Sequence, residues 1–532
     1  MVVSGRTRKK VQHKFKLRGF TFKVDAMEEV LAYLAHFPND EDEALDLLID
    51  EMYNKSLHSS ILDREVIHDV VASLLEAHAA PDNSARSTSD HAVLRVIDVF
   101  HIHRFHYDGI KKVFYEYATS NISLHTGKLP IHGDAVDKAA LYRDRYQLLF
   151  QRISRDKYFS RPVFATEMTE SESCEITSIQ SLIGCTGRRW IMGVISQLEE
   201  GQFYLEDLAA AVPIDLSNSI SFMQLIYQGE LLPNGIFQVN TCGFPPLEDR
   251  EVSLKLLMGL DFFGGGVLSN DERSKLLEME KAAVNHMLVI LSDVWLDNEE
   301  TMEKLAVVFD AYEGVEVVPY LFILMGNFCS RPCHFAFHSY SNLRMQFGKL
   351  GEMIASHPRL KEQSKFLLIP GPDDAGSSKV LPRCALPKYL TEEFQKHIPN
   401  AIFSSNPCRV KFYTQEIVFF RQDLLYRMRR ASLIPPPTEE TNDHFEHLVV
   451  TITHQSHLCP LPLTVQPIIW NYDHCLRLYP TPHMIVLADK SEQKSFKYTG
   501  ITCVNPGSFS SDNSFAVYRP CTQEVELSAL DG

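Results

Sequence analysis

The sequence predicts a multidomain α/β protein, in which a helical N-terminal module and a small β-barrel precede a larger α/β domain. Three observations lead to this prediction. Apolar residues recur at helical spacing over the first 78 residues, and several short strand patterns follow one another between residues 190 and 244. After residue 284, near-continuous apolar runs alternate with helical patterns, as in a sheet buried on both faces. A chain of 532 residues has room for two to four such domains.

The N-terminal module is predicted from helical faces that recur within residues 1–78. Asp25 and Glu28 form a capping-box pattern, and the apolar residues after them keep i, i+3, i+4 spacing. The predicted faces comprise Met27, Val30, Leu31 and Leu34; Leu45, Leu48, Ile49 and Met52; and Val66, Ile67, Val70, Val71 and Leu74. The polar stretch 79–91 begins a predicted linker and connecting segment, residues 79–159. Within it, His101, His103 and His106 either line one face of a strand or hold a metal.

Residues 160–250 predict a barrel. The strand patterns WIMGVISQL, GQFYLED, AAVPIDLS and GIFQVNTCGF, with a helix-like insert at 219–227, are typical of a five-stranded barrel of the OB type. OB barrels often bind single strands through aromatic and basic residues, and Phe203, Tyr204 and Phe237 are available here. The loops, however, are acidic, with Glu199, Glu200, Glu206, Asp207 and Asp215. The barrel therefore either packs against protein or binds single strands, and its acidity favours the first.

Residues 251–532 predict an α/β domain. Its apolar runs, each interpreted as a buried strand, are HMLVILSD (286–293), YLFILMGN (320–327), KFLLIPG (365–371), HLVVTITH (447–454), HMIVLAD (483–489) and GITCVNPGSF (500–509). Helical patterns alternate with the first three runs, which indicates βαβ crossovers. Function is then expected at the carboxyl ends of the strands.

Composition limits the classes of protein that this chain can belong to. A net charge of −16 argues against a protein that coats nucleic acid, because that affinity comes from Lys and Arg. No stretch approaches the ~20 apolar residues that a membrane span needs, and the N-terminus lacks the apolar core of a signal peptide. The eleven scattered cysteines are typical of free thiols. We expect an intracellular protein.

The predicted strand ends resemble those of the calcineurin-like metallophosphoesterase fold. In chain order they read Asp293-Val294-Trp295, Gly326-Asn327-Phe328, Gly371-Pro372-Asp373-Asp374, His454 to His457, Ala488-Asp489-Lys490 and Asn505-Pro506-Gly507-Ser508. Active members of that fold carry Asp-x-His, Gly-Asp-x-x-Asp, Gly-Asn-His-Asp/Glu, a lone His and Gly-His-x-His. Their two metals need a bridging carboxylate and several His, Asn and Asp ligands.

This chain departs from that pattern where the metals would bind. Asp293 is kept, but Trp295 replaces the first His and Asn327 replaces the bridging Asp. The remaining differences are Pro372-Asp373 for Asn-His and Ala488-Asp489-Lys490-Ser491 for Gly-His-x-His, which places a cation where a metal would be; His457 matches the lone His. The resemblance therefore implies an inactive phosphoesterase domain, two sheets flanked by helices, with no catalytic, cofactor-binding or metal-binding residue.

An OB-type barrel followed by such a domain resembles the B-subunits of the replicative eukaryotic DNA polymerases. The helical N-terminal module resembles that of the epsilon B-subunits, and so do local strings that include FKLRGF (15–20), LSDVWLD (291–297), LMGNF (324–328), IPGPDD (369–374), SNPCRV (405–410) and NPGSF (505–509). The resemblance covers nearly the whole chain.

The resemblance implies a non-catalytic scaffold in a nuclear DNA-replication complex. It implies that the barrel and the phosphoesterase domain bind the zinc or iron–sulfur C-terminal region of the catalytic subunit of DNA polymerase epsilon. The N-terminal domain, similar to the lid of AAA+ ATPases, would contact the GINS component of the replicative helicase. Small histone-fold subunits share the complex, DNA is contacted indirectly, and no membrane or cofactor is implied. The alternatives are a metal-dependent phosphodiesterase or nuclease with a variant site, and an OB-fold single-strand-binding protein.

Overall fold

A computed structural model describes residues 93–117, 129–159, 174–218, 226–257, 259–333, 337–376, 379–431 and 443–530, with isolated residues between 11 and 71. The chain divides into two compact units, residues 1–92 and 93–532. Within the described residues, no helix is both long and apolar enough to cross a membrane.

The first unit contains helical residues and a short parallel pair of strands, β1 (Thr21–Phe22) and β2 (Ile61–Leu62). Met27, Val30, Leu45, Leu48 and Ile67, all from the predicted faces, are helical and buried. Leu34, Ile49, Met52, Val66, Val70, Leu74 and the polar segment 79–91 lie outside the described residues. The strand pair has no counterpart in the sequence prediction.

The second unit begins with residues that the sequence assigns only to a connecting segment. They form β3 (Leu94–Asp98), a 3-10 helix (Val99–His101), the hairpin of β4 (Phe105–Asp108) and β5 (Val113–Glu116), and helix α1 (Ala135–Ile153). β3 pairs with a strand more than 300 residues later, Leu94 opposite Phe412 and Asp98 opposite Cys408. This segment is therefore part of the α/β domain's core.

The barrel consists of β6 (Arg189–Met192), β7 (Val194–Glu199), β8 (Gln202–Glu206), β9 (Ala211–Asp215), β10 (Ile226–Leu231) and β11 (Phe237–Gly243). Its order, β6-β10-β11-β9-β8-β7, closes because β6 and β7 are two halves of one strand bent at Gly193. A Cβ at Gly193 would lie 2.7 Å from the Glu206 carbonyl oxygen, so the bend requires glycine. β9 and β11 pair in parallel, which with this order is the OB topology. The insert at 219–225 lies outside the described residues, whereas Ile226 and Tyr227 begin β10.

The elements of the α/β domain follow in chain order. They are α2 (Arg250–Leu257), α3 (Asn270–Ala282), β12 (Leu288–Ser292), α4 (Glu299–Glu313), β13 (Leu321–Met325), α5 (Phe337–Ala355), α6 (Pro358–Gln363), β14 (Lys365–Ile369), α7 (Lys388–His397), β15 (Ile402–Phe403), β16 (Cys408–Phe412), β17 (Gln415–Arg421), α8 (Leu425–Ala431), α9 (His444–His454), a 3-10 helix (Trp470–Leu476), β18 (Met484–Ala488), β19 (Lys494–Tyr498), β20 (Ile501–Asn505), α10 (Phe509–Asp512), β21 (Ser514–Arg519) and β22 (Glu524–Ala529).

Two sheets organise this domain. In one, the described strands run β15-β14-β13-β12-β21-β22; in the other they run β19-β20-β18-β17-β16-β3. β12, β13 and β14 are parallel and almost wholly buried, as the apolar runs predict. β17 and β18 are parallel as well. The carboxyl ends of neighbouring parallel strands therefore meet at one edge of each sheet.

The prediction of a strand at 447–454 is wrong, because these residues belong to helix α9. The Asp443 side chain caps the helix by accepting from the amides of Phe445 and Glu446. Thr451 and Thr453 satisfy their hydroxyls by donating to the carbonyl oxygens of the preceding turn. Burial on several sides removes the polar face that identifies a helix, so the run resembles a buried strand.

Candidate functional site at the carboxyl ends of the strands

The strand ends converge, and a residue that the sequence analysis did not select lies at their centre. Arg421, the last residue of β17, reaches across to the other sheet, where Asp293 follows β12. The Arg421 Nη2 donates to Asp293 Oδ1 at 2.8 Å, and both side chains are essentially inaccessible to solvent. Asp293 Oδ1 also accepts from the Asn327 amide at 3.0 Å.

Every nitrogen of the Arg421 guanidinium has a partner at this edge. Nε donates to the Gly326 carbonyl oxygen at 2.7 Å, and Nη1 donates to Asp423 Oδ1 at 2.7 Å and to the Ala488 carbonyl oxygen at 3.2 Å. Burial by itself lowers the pKa of Arg421, but the carboxylates of Asp293 and Asp423 raise it above its usual value. The strand ends thus enclose a permanent cation.

Asn327 and Asp374 connect the ends of β13 and β14. Asn327 Oδ1 accepts from the Asp373 amide at 2.9 Å. The two carboxylate oxygens of Asp374 accept from the amides of Phe328 and Gly371, each at 2.7 Å. Burial raises the pKa of Asp374 to about 6, against the lowering effect of those two hydrogen bonds. Both carboxylate oxygens of Asp374 are therefore already engaged by backbone.

Asp373 and Trp295 lie at the margin of this cluster. Asp373, which the sequence analysis placed at a former ligand position, is partly exposed and forms an ion pair with Lys379 at 2.6 Å. Pro372 offers its carbonyl oxygen to Arg383 Nη1 at 3.0 Å. Trp295 is half-buried, and its indole Nε1 lacks a hydrogen-bond partner among the described residues.

The Asp489 side chain caps the N-terminus of helix α8. Its Oδ2 accepts from the amides of Leu424 and Leu425 at 2.6 and 3.0 Å, and its Oδ1 accepts from the Ser491 amide at 3.0 Å. Burial raises its pKa, and these hydrogen bonds oppose that effect. Lys490, to which the sequence analysis assigned the cation at this edge, is 47% exposed and lies 3.9 Å from Asp423 Oδ2. The buried cation is Arg421 instead.

His457 follows helix α9 and contacts residues of another cluster. Its Nδ1 accepts from the Cys459 amide at 3.0 Å, so Nε2 carries the proton and lies 3.2 Å from Asp473 Oδ1. Burial lowers the pKa of His457 to about 4, with a further lowering from Arg145. It is therefore a neutral, hydrogen-bonded histidine. Within the described part of the chain, no three His, Cys, Asp or Glu side chains are grouped so as to hold a metal.

Comparisons with known proteins bear on what this arrangement does. Family models match residues 4–74 (DNA polymerases epsilon N terminal), 135–246 (DNA polymerase epsilon subunit 2-like, OB-fold domain) and 288–497 (DNA polymerase alpha/epsilon B-subunit). The chain is 60% identical to the DNA polymerase epsilon B-subunit of Arabidopsis thaliana over the full length of both. The chain belongs to the DNA polymerase epsilon B-subunit family.

Other members of the epsilon B-subunit family match over nearly their whole length. DNA polymerase epsilon subunit 2 of Homo sapiens is 35% identical, with 99% of each chain covered. The resemblance drawn from LSDVWLD and its companion strings is confirmed, as are the OB fold and the α/β class. The chain is an accessory subunit of the polymerase epsilon complex and takes part in DNA replication. A solved archaeal phosphodiesterase aligns with 46% of the chain at 8% identity and a TM-score of 0.25, from which nothing is concluded.

In this member of the epsilon B-subunit family, a second buried cluster joins helix α1 to the α/β domain. Asp473 forms an ion pair with Arg145, whose Nε lies 3.0 Å from Asp473 Oδ1. Burial would raise the pKa of Asp473, but Arg145 and His457 hold it well below its usual value. The preceding residue of α1, Asp144, accepts from Arg104 and Arg477, each at 3.1 Å. Two consecutive residues of α1 thus place carboxylate and guanidinium in one buried network.

His106 belongs to the same network, with its Nδ1 2.7 Å from Asp144 Oδ1. His101 and His103, which the sequence suggests as possible metal ligands together with His106, have different partners. His103 pairs with Glu116, and His101 lies 3.9 Å from Asp98. The three imidazoles therefore contact three different carboxylates, which is not the geometry of shared metal ligands.

The barrel is attached to the α/β domain by the same helix and by its own last residues. Arg152 of α1 donates to the Ser456 hydroxyl at 2.6 Å and to the His454 carbonyl oxygen at 2.5 Å. His454 Nδ1 lies 2.8 Å from the Pro245 carbonyl oxygen, and its ring stacks on Phe244. On another face of α1, Leu149 and Ile153 pack with Met192 and Ile226 of the barrel, as do partly buried neighbours.

Proposed function

We propose that the chain is a non-catalytic scaffold of the nuclear polymerase epsilon complex. The barrel (160–250) and the inactive phosphoesterase-like domain (251–532) hold the zinc- or iron–sulfur-containing C-terminal region of the catalytic subunit. The helical N-terminal domain (1–78), similar to an AAA+ lid, contacts GINS of the replicative helicase. Of the predicted connecting segment 79–159, the residues from 93 onward belong to the same compact unit as the barrel and the α/β domain. The small histone-fold subunits share the complex, and DNA is contacted indirectly.

The observation that carries the non-catalytic part of this proposal is the position of Arg421. A two-metal phosphoesterase needs carboxylates and imidazoles whose lone pairs point at two divalent cations. Here Asp293 is bonded to a guanidinium at 2.8 Å, and a metal beside it would meet a fixed positive charge. Asp374 and Asp489 already accept two and three backbone amides, respectively. These residues do not fit a metal pair, and no hydrolytic step follows from them.

The connection between barrel and α/β domain supports a scaffold. Buried ion pairs and their hydrogen bonds restrict the relative positions of the elements that they join. The network of Asp144, Arg145 and Asp473, with Arg152 and His454 beside it, fixes helix α1 between the two domains. The second unit can therefore present barrel and sheet surfaces to one partner at a constant spacing.

The face of the barrel that binds strands in other OB folds is acidic. β8 and β9 carry Glu206 and Asp215, β7 ends at the exposed Glu199, and Glu200 in the turn that follows is exposed as well. Of the aromatic residues available for strand binding, Phe237 is buried in the barrel core, Phe203 packs against that core and Tyr204 is partly buried. Carboxylates at these places repel phosphates, so this face favours a protein partner over a nucleic-acid strand.

The scaffold proposal is tested by co-expressing the full chain with the C-terminal region of the catalytic subunit. We expect the two to co-purify through size exclusion, and a chain lacking residues 1–92 to do so equally well, because the second unit has its own cores. The control is the barrel-distorting variant Gly193→Val, which should lose the partner. Separate elution of the intact chain and the catalytic region would refute the proposal.

The enzymatic alternative is tested on the same preparation. We expect no manganese-dependent hydrolysis of bis-p-nitrophenyl phosphate by the intact chain. The diagnostic variant is Asp293→Asn, since a true metal site would lose activity with that carboxylate. Hydrolysis that is present in the intact chain and abolished in Asp293→Asn would overturn the non-catalytic assignment.

A further inference from the structure

Helix α8 presents a small basic face beside the cluster at the strand ends. Its inner side is fixed, because Leu424 just before it and Met428 are buried in the core of the second sheet. Asp489 caps its first turn, and Arg427 Nη1 donates to Gln466 Oε1 at 2.5 Å. Residues 426, 429 and 430 lie on the opposite side, at i, i+3 and i+4. The helix is therefore a rigid platform with one free side.

That free side consists of Tyr426, Arg429 and Arg430. Tyr426 is 68% exposed, and both arginines are exposed. The Arg430 guanidinium carbon lies 5.6 Å from the centre of the Tyr426 ring. Lys490, which follows the capping Asp489, adds a third exposed cation nearby and lies 3.9 Å from Asp423 Oδ2. The combination of exposed Tyr and Arg is the one that most often dominates binding energy at protein interfaces.

The two arginines place adjacent positive charges on the surface of a chain with a net charge of −16. Neither forms an ion pair with any residue that the structure describes. Several other accessible cations do have carboxylate partners, for example Arg344 with Glu393, Lys396 with Glu393, Arg273 with Glu251 and Arg519 with Glu526. A guanidinium offers a planar fork of donors suited to a carboxylate, so the face of α8 has unused capacity for acidic groups.

We propose that the Tyr426–Arg429–Arg430 face of helix α8 is a docking surface for an acidic segment of a partner protein. Four residues of helix span about 6 Å, which matches two neighbouring carboxylates of a peptide. DNA fits less well, since affinity for DNA comes largely from Lys and Arg side chains that neutralise several phosphates along the backbone. Such a footprint would extend from this face over a chain that is acidic overall. The proposal concerns this face alone and goes beyond the contacts proposed above.

The test uses the full chain and a fluorescein-labelled hexaglutamate peptide, with binding followed by anisotropy at low salt. We expect measurable binding that weakens at ~150 mM salt, because the face is exposed. The double variant Arg429→Glu/Arg430→Glu should weaken it by about tenfold or more, and Tyr426→Ala by about threefold. The matched control, Lys275→Glu/Lys361→Glu, reverses two exposed charges on helices α3 and α6 and should change affinity less than about twofold.

Three results would overturn the proposal. One is no binding of hexaglutamate by the intact chain at low salt. Another is equal weakening by the α8 variant and the α3/α6 control, which would indicate net charge alone. The third is tighter binding of a single-stranded oligothymidylate that is lost in the α8 variant, which would assign the face to nucleic acid. The peptide assay uses the chain without its partners. Absence of peptide binding would therefore refute the docking proposal and would not bear on the prediction that the chain co-purifies with the catalytic subunit.

Discussion

Replacing Arg421 by Met tests whether the guanidinium holds the strand ends together. The substitution leaves Asp293 buried without a counter-charge, and removal of one partner of a buried ion pair costs about 3–5 kcal/mol. The carbonyl oxygens of Gly326 and Ala488 each lose a donor, at on the order of 1 kcal/mol apiece. We therefore expect the free energy of unfolding to fall by about 5 kcal/mol. The assay is urea denaturation followed by tryptophan fluorescence, since Trp295 and Trp470 lie in this domain.

A double-mutant cycle separates the ion pair from simple loss of packing. In Arg421→Met/Asp293→Asn, the buried partner is neutral and can still accept the Asn327 amide, so about 2 kcal/mol should be recovered. Arg429→Met, on the exposed face of α8, is the control and should stay within about 0.5 kcal/mol of the intact chain. A loss below about 1 kcal/mol for Arg421→Met, or strict additivity in the double variant, would refute the reasoning.

The remaining predictions concern a histidine, a glycine and the tryptophan. The pKa of His457 lies below its unfolded value, so its contribution to stability is complete above about pH 6.5 and is lost as pH falls towards about 4. His457→Asn should reduce the loss of unfolding free energy between pH 7 and pH 5 by about 2 kcal/mol. Gly326→Ala should destabilise by at least about 3 kcal/mol, because its Cβ would overlap the Asp374 carboxylate, whereas Gly109→Ala should be neutral. Trp295→His should restore no manganese-dependent hydrolysis, and Trp295→Ala should cost about 1–2 kcal/mol, since the side chain is half-buried.

Each of these has an outcome that would contradict it. An unchanged pH dependence in His457→Asn would mean that folding does not lower the pKa of the imidazole. A stable Gly326→Ala chain with wild-type unfolding would mean that β13 and β14 are farther apart at their ends than the structure shows. Metal-dependent hydrolysis by Trp295→His would mean that Asp293 can exchange its guanidinium partner for a cation.

The strands of the α/β domain were predictable where burial and length agree. Val289 to Leu291 and Phe322 to Leu324 form apolar runs of strand length, and such runs are buried on both faces. The same rule failed at 447–454, because a helix packed on several sides also loses its polar face. The pairing of β3 with β16 could not be predicted, since its partners are more than 300 residues apart and share no local signal.

The candidate site could also be predicted from the sequence only in part. Asp293 could be placed, because a polar residue directly after a buried strand reaches the sheet edge. The sequence does not show which of the adjacent residues Asp373 and Asp374 lies inside the site. In the structure the buried residue is Asp374, which accepts from two backbone amides, and Asp373 is partly exposed. Arg421 had one available signal in the sequence. It is a cation directly after the apolar run IVFF (417–420), whereas other predicted strands end in carboxylates. Apart from Asp423, its side-chain partners are 67 to 128 residues away, so only the fold brings them together.

The hydrogen bonds of Arg421 connect the two sheets, and Arg421 is the last residue of one strand, β17. The Arg421 side chain reaches Asp293 and the Gly326 carbonyl oxygen in the first sheet, while its own backbone exchanges two hydrogen bonds with the Asn406 side chain. Asn406 Nδ2 also donates to the Pro370 carbonyl oxygen, after β14. A divalent metal could join such ends only when bound and with its ligands deprotonated. A guanidinium is charged at any physiological pH and is covalently attached, so this arrangement maintains a constant geometry, which is what a subunit that acts by holding partners requires.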